Sequence, residues 1–198
     1  MTASRTTYST VAIAFHWVIA IMLVSMVFYG WWMEDLRANI SGPEDFAGVQ
    51  AAYNWHKTAG ITILILSLAR LAWRFTHPAP PLPSHMKTWE KGMARFTHVA
   101  FYAVMIGAPL GGWVTASATN FPSRLFNIEG FDLPRLPVPQ TEGFYELAGS
   151  MHGAGGWVIF GLLALHAGAA LKHHFIDRDG VLQRMIPSLN TPPQTPRD

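Results

Sequence analysis

The sequence predicts an all-α integral membrane protein: a bundle of four spanning helices, with the N- and C-termini on the cytoplasmic side. Three observations predict it. Half of the 198 residues are apolar and only 13% are charged, about half the charged share of an ordinary soluble domain. Four segments are apolar over the ~20 residues that a helix needs to cross a ~30 Å hydrocarbon core. The Lys and Arg residues are unevenly divided between the connecting segments, and cations accumulate on the cytoplasmic side of a bilayer.

The first span covers approximately residues 9–33. Its apolar run from Val11 to Met33 is too long for a signal-peptide core and lacks a small-residue cleavage site, so it reads as a retained helix. The second span covers 50–75. It is followed by the proline-rich link "HPAPPLPSHMKTWEKG", a stiff turn outside the bilayer. The third covers 94–117. The link after it, "NFPSRLFNIEGFDLPRLPVPQTEGF", carries Pro122, Pro134, Pro137 and Pro139, which break any helix and suit a lid over one face. The fourth span covers 146–175. Residues 1–187 form one transmembrane domain, and the polar, proline-rich tail 188–198 is expected to be disordered. No internal repeat is present.

Arg70, Arg74, Lys87, Lys91 and Arg95 crowd the second link, and Lys172, Arg178 and Arg184 follow the fourth helix. The other two links hold only Arg37, Arg124 and Arg135 as cations, which places them on the periplasmic side. Those outer links are acidic, with Glu34, Asp35, Glu44 and Asp45 in one and Glu129, Asp132, Glu142 and Glu146 in the other. A face of that sign suits a cationic donor better than an anion, with Lys57 as the one cation beside the outer depth. The absence of cysteine excludes disulfides, iron-sulfur clusters and thioether-attached haem, so any metal is held by His, Met or carboxylate. A net charge of +2 with dispersed cations excludes nucleic acid as a partner. The tryptophans fall mostly at helix ends, as an aromatic belt, and the methionines within the spans read as packing.

Histidine inside an apolar span is costly and is therefore usually paired or functional. His152 and His166 are 14 residues apart, which puts them within about 40° of one face and about 21 Å apart along a helix. His16 lies early in the first span and His56 early in the second. Each depth thus receives two imidazoles from different helices: His16 with His166 at the inner depth, and His56 with His152 at the outer. The positions one turn either side are Ala12 and Ala20, Ala52 and Gly60, Ala148 and Gly156, and Leu162 and Ala170. All but Leu162 are Ala or Gly, which leaves room for a flat macrocycle against each helix, although small residues also serve close helix packing. Paired depths and small neighbours together favour two bis-histidine haems between the helices.

His98 competes at the inner depth, but Tyr102, Arg95 and Phe101 crowd it, which suits a place near a haem propionate or a quinone. Arg70, 14 residues beyond His56 on the same face, pairs either with an inner haem propionate or, by snorkelling, with a lipid phosphate. His77 and His85 read as solvated or at the headgroups. In "LKHHF", His173 lies about 20° off the His166 face and about 10 Å further along. His173 is the candidate donor to a quinone carbonyl, with Lys172 stabilising its charge; a helix end held at the headgroups by the helix dipole is the alternative.

The segments "AFHWVIA", "YNWHKTAGITILILSLARLAWR", "HVAFYAVMIGAPLGGW", "SRLFNIEGFDLPRL" and "MHGAGGWVIFGLLALHAGAALKHHFIDRDGVLQRMIP" resemble the bacterial cytochrome b561 family from about Tyr8 to Pro187. The resemblance implies two haem b groups held by His16, His56, His152 and His166, and implies that His98 is not an axial ligand. It also implies, as a candidate activity, superoxide oxidation at the periplasmic side with electrons delivered to ubiquinone.

The leading expectation is a multi-pass cytochrome of the bacterial inner membrane. It would move single electrons between a periplasmic donor, a small molecule or a protein, and the quinone pool, with lipid as its other partner. The alternative is a cytochrome b electron-transfer and anchor subunit of a membrane dehydrogenase or hydrogenase, since the same fold serves there. A third reading treats the histidines as a proton path in a transporter.

Overall fold

The computed structural model describes Thr7–Leu189. Its four long helices are α1 (Thr10–Ala38), α2 (Pro43–Thr76), α3 (Thr88–Ser117) and α4 (Glu142–Lys172), and no β-strand occurs among the described residues. All four are long and apolar enough to cross a membrane. The helices hold 29 to 34 residues. At ~1.5 Å per residue that length exceeds the ~30 Å apolar core, so their ends project beyond it.

The helices are longer than the apolar runs because polar residues cap and extend them. Ser9 Oγ accepts the Ala12 N–H at 3.3 Å at the start of α1. Pro43 opens α2, where its missing N–H costs nothing, and Glu44 and Asp45 complement the helix dipole in the first turn. Asp45 Oδ2 also accepts from the Ser41 and Gly42 N–H groups at 2.9 and 3.2 Å. The Lys87 N–H donates to Glu90 Oε2 at 2.9 Å ahead of α3, and Thr141 Oγ1 accepts from the Phe144 N–H at 3.4 Å to start α4. The α2 and α3 starts therefore fall at Pro43 and Thr88 rather than near 50 and 94.

Neighbouring helices pack in a ring, α1 on α2, α2 on α3, α3 on α4 and α4 on α1. The core between them is small: Ile19, Leu23, Val27, Ile63, Met105 and Ile159. Many large apolar side chains face outward instead, including Ile21, Phe28, Ile65, Val99 and Leu165, as a lipid-facing surface requires. By sequence position, every core residue lies between the two histidine depths on its helix.

The start of α1 and the chain after α4 meet at one end of the bundle. There α4 widens into a π turn at His173–Asp177, which stops at Arg178 in the left-handed region (φ 52°). The Trp17 Nε1–H donates to the Met185 carbonyl at 3.0 Å, and Arg184 Nη1 donates to the Pro81 carbonyl at 2.6 Å. The chain after α4 is thereby tied to α1 and to the α2–α3 link. Pro187–Leu189 forms a last short turn; the rest of the tail expected to be disordered, 190–198, lies outside the described residues.

At the opposite end the α3–α4 loop folds back on itself. The Leu125 N–H donates to the Phe131 carbonyl at 2.8 Å and the Leu133 N–H to the Ser123 carbonyl at 2.9 Å. Phe126 and Asn127 both take positive φ there. This strained turn is pinned to α2, where buried Asn54 Nδ2 donates to Asn127 Oδ1 at 2.9 Å and Thr58 Oγ1 accepts the Phe126 N–H at 2.8 Å. The loop lies as a fixed cap across that end.

Candidate functional site

Each histidine pair expected from spacing is brought together across helices. At the loop end, the His56 ring of α2 and the His152 ring of α4 are 5.9 Å apart, centre to centre. At the terminal end, His16 of α1 and His166 of α4 are 6.0 Å apart. A metal ion bonded to two imidazoles at ~2 Å each, plus about 1 Å from each nitrogen to its ring centre, requires about 6 Å. Both pairs meet that requirement, and the apolar core lies between them.

The loop-end pair is built by close backbone. The His152 Nδ1–H donates to the Ala108 carbonyl of α3 at 3.0 Å, which assigns its lone pair to Nε2. A backbone carbonyl on the second ring nitrogen is the usual orienting partner of a metal-binding imidazole. Pro109, one residue on, has no N–H and so interrupts the α3 ladder beside this contact. Gly112, one turn from Ala108, admits the ring: a Cβ there would lie 2.9 Å from His152 Cε1. Opposite, Gly30 of α1 faces His56 with 3.6 Å between a Cβ and Cε1, and the Tyr29 ring stacks on His56 at 6.2 Å. His56 Nδ1 is buried with no hydrogen-bond partner.

At the terminal end, His166 faces two imidazoles, because the His98 ring of α3 is also 6.0 Å away and Phe101 meets it edge-on at 5.5 Å. Distance does not separate His16 from His98 as its partner. Arg70 Nη2 lies 3.3 Å from His16 Nδ1, and its guanidinium sits 5.9 Å from the Tyr102 ring centre. No carboxylate pairs with Arg70 among the described residues. A cavity beside it is lined by Tyr8, Arg70, Trp73, Arg74, Tyr102 and Met185, and both Trp73 Nε1 and Tyr102 Oη are buried without partners. Cations and orphaned donors together form an acceptor-seeking wall, suited to an anion or a carbonyl oxygen.

Beyond His166, His173 is buried, whereas His174 is only half-buried and lies 3.5 Å from Gln183 Nε2. His173 Nδ1 lies 2.6 Å from Asp179 Oδ2 and 3.1 Å from Asp177 Oδ2. Lys172 Nζ bridges Asp177 Oδ2 and Glu90 Oε1, each at 2.7 Å. His85, from the α2–α3 link, places Nε2 3.2 Å from the same Asp179 oxygen. Burial disfavours the Asp179 carboxylate, but the Val181 N–H and the two imidazoles outweigh it and hold its carboxyl below the usual range. His77 stacks flat on Trp73, ring centres 3.8 Å apart.

Sequence reasoning missed Gly112, Asp179 and the His85 contact. Gly112 stands in a "PLGGW" run with the look of ordinary small-residue packing. Asp179 stands 94 residues from His85, with only the "DRDG" turn after the histidine pair as a local sign.

Residues 7–188 match a family model described as prokaryotic cytochrome b561. The chain is 32% identical over 181 residues to Cytochrome b561 homolog 2 of Escherichia coli (strain K12), covering 90% of each. It is 26% identical over 184 residues to Cytochrome b561 homolog 1 of the same organism, covering 91% of this chain and 97% of the relative. To the Probable superoxide oxidase CybB of Yersinia pestis it is 25% identical over 187 residues, covering 91% and 96%.

Proposed function

The chain belongs to the prokaryotic cytochrome b561 family, and from that premise we propose that it moves single electrons between a periplasmic donor and the membrane quinone pool, using two haem b groups. It is a multi-pass bacterial membrane protein of electron transport, and the family implies haem b. The observation that carries the finer reading is the duplication of one motif, an imidazole pair at 5.9 and 6.0 Å, on either side of an apolar core.

The residues present fit haem. When bound, haem b supplies one-electron redox chemistry, and the protein supplies ligands, orientation and charge. His56 and His152 would hold one group. The Ala108 carbonyl keeps the His152 proton on Nδ1, which leaves the Nε2 lone pair to hold a metal, and His56 Nδ1 is buried without a protein partner. His16 and His166 would hold the other. Their claim over His98 rests on the family resemblance and on the alanines one turn either side of His16.

Arg70 fits the same account through tautomer chemistry. An arginine N–H directed at His16 Nδ1 needs the lone pair there, which leaves the proton on Nε2. A neutral His16 that binds metal through Nε2 carries its proton on Nδ1 instead, facing the guanidinium. With the inner group bound, Arg70 would leave His16 Nδ1 and, with Trp73 Nε1 and Tyr102 Oη, would supply the donors for that group's carboxylates.

The excess of Lys and Arg at the end bearing the termini supports a cytoplasmic placement of that end. The quinone reading rests on His173, buried two turns past His166, with His98 beside the inner pair and Lys172 paired to Asp177, one of the two carboxylates at His173. Superoxide is the donor that the name of the Yersinia pestis relative brings to this reading. The test is kinetic: purified protein, chemically reduced, is mixed with a short-chain ubiquinone analogue while its haem absorbance is followed. Saturable reoxidation on the turnover timescale is expected. Absorbance that stays reduced at saturating quinone overturns the quinone assignment.

A further inference from the structure

We propose that His85, Asp179 and His173 form a proton path from the aqueous face at the terminal end to the quinone, an inference that rests on the quinone reading above. Reducing a quinone to its quinol consumes two electrons and two protons. The donor supplies the electrons one at a time, water supplies the protons, and no further oxidant or reductant enters.

The path runs from one exposed group to two buried ones. The His85 side chain is 57% exposed, that of Asp179 is 1% exposed and that of His173 is 10% exposed. One oxygen, Asp179 Oδ2, serves both imidazoles, at 3.2 Å from His85 Nε2 and 2.6 Å from His173 Nδ1. Both steps are within hydrogen-bond reach. As the His173 Nε2–H passes to a quinone oxygen, Nδ1 takes a proton from Asp179 Oδ2, His85 reprotonates Asp179, and return of His173 to its Nε2–H tautomer resets the path.

The backbone is bent to make this contact. The π turn at His173–Asp177 and the left-handed Arg178 return the chain, so that the Asp179 N–H donates to the His173 carbonyl at 3.3 Å. Single π turns in helices recur at functional sites. The other charged groups at the cluster are Asp177, 3.1 Å from His173 Nδ1, and Lys172 with Glu90 behind it. The Lys172–Glu90 ion pair ties α4 to α3, whereas the Asp179–His85 contact joins the chain after α4 to the α2–α3 link. What the contact adds is one carboxylate shared by an exposed imidazole and a buried one.

Asp179 and His85 are positioning and relay residues; His173 is the group placed to touch the quinone. The test compares wild type with Asp179→Asn, Asp179→Glu and His85→Ala, after their haem spectra are matched, in steady-state reduction of a short-chain ubiquinone. Loss of a positioned proton donor costs about 100-fold or more in favourable cases. A drop in kcat of at least about 10-fold for Asp179→Asn and about 3-fold for His85→Ala is expected here, with KM within about twofold, because water partly substitutes at an exposed end. Added imidazole is expected to restore His85→Ala, and Asp179→Glu to recover most of the rate. A wild-type kcat in Asp179→Asn and His85→Ala overturns the path while leaving the quinone assignment standing. So does a rise in KM alone, or a loss in His85→Ala that imidazole does not restore, since packing would then be its cause. If Asp179→Asn fails to assemble, His85→Ala, on the exposed link, decides by the same criteria. Wild-type protein that exchanges no electrons with quinone overturns both readings.

Discussion

His56→Ala and His152→Ala are each expected to lower haem content from about two to about one per chain and to leave the same surviving haem, while His16→Ala and His166→Ala leave the other. The grounds are the two separate ring pairs, at 5.9 and 6.0 Å, each drawn from two helices. The pairs are about 21 Å apart along α4, with Ile19, Leu23, Val27, Ile63, Met105 and Ile159 filling the space between. Loss of one group therefore leaves the packing around the other in place. Reduced-minus-oxidised spectra and haem extraction of the four variants check this. Survivors that fail to sort into two classes would refute the pairing. His98→Ala is expected to retain both haems; loss of the inner one would transfer the ligand role from His16 to His98, which lies equally close to His166.

Gly112→Ala is expected to lose most of the haem at the loop end, although it adds only one methyl group. Its Cβ would lie 2.9 Å from His152 Cε1 and 3.3 Å from both ring nitrogens, so the imidazole has to turn away from the Ala108 carbonyl. Overpacking of this kind costs about 1–3 kcal/mol, and the reoriented ring no longer faces His56. Two neighbours serve as controls. A Cβ at Gly111 meets nothing within 4 Å, and one at Gly30 makes an ordinary 3.6 Å contact with His56 Cε1. Gly111→Ala is expected to be neutral, and Gly30→Ala to keep its haem. Equal haem content in all three would show that Gly112 is ordinary helix packing.

The sequence was most legible where one periodic helix carried the signal. His152 and His166 share α4, so their spacing gave depth and face directly; His56 and His16 near the starts of their spans do come within 6 Å of them, although His98 comes equally close to His166. Helix limits were less legible, because hydropathy sees only the apolar stretch; Pro43 and the Lys87–Glu90 contact extend α2 and α3 through polar residues. The α3–α4 segment was read as a lid from its prolines, but its attachment to α2 depends on Asn54, Thr58 and two positive-φ residues. Nothing local marks those contacts. The His173 cluster was hidden for the same reason: the direction of the chain after α4 is decided by a π turn and by Arg178 at φ 52°. His85 comes from a link that reads as solvated.

The most direct test of the account is the stoichiometry and coordination of haem in purified wild-type protein, by haem extraction against protein mass and by low-temperature electron paramagnetic resonance. The account predicts about two b-type haems per chain, both ferric irons low-spin with two imidazole ligands. One haem per chain, or a high-spin iron with an open position, would contradict it.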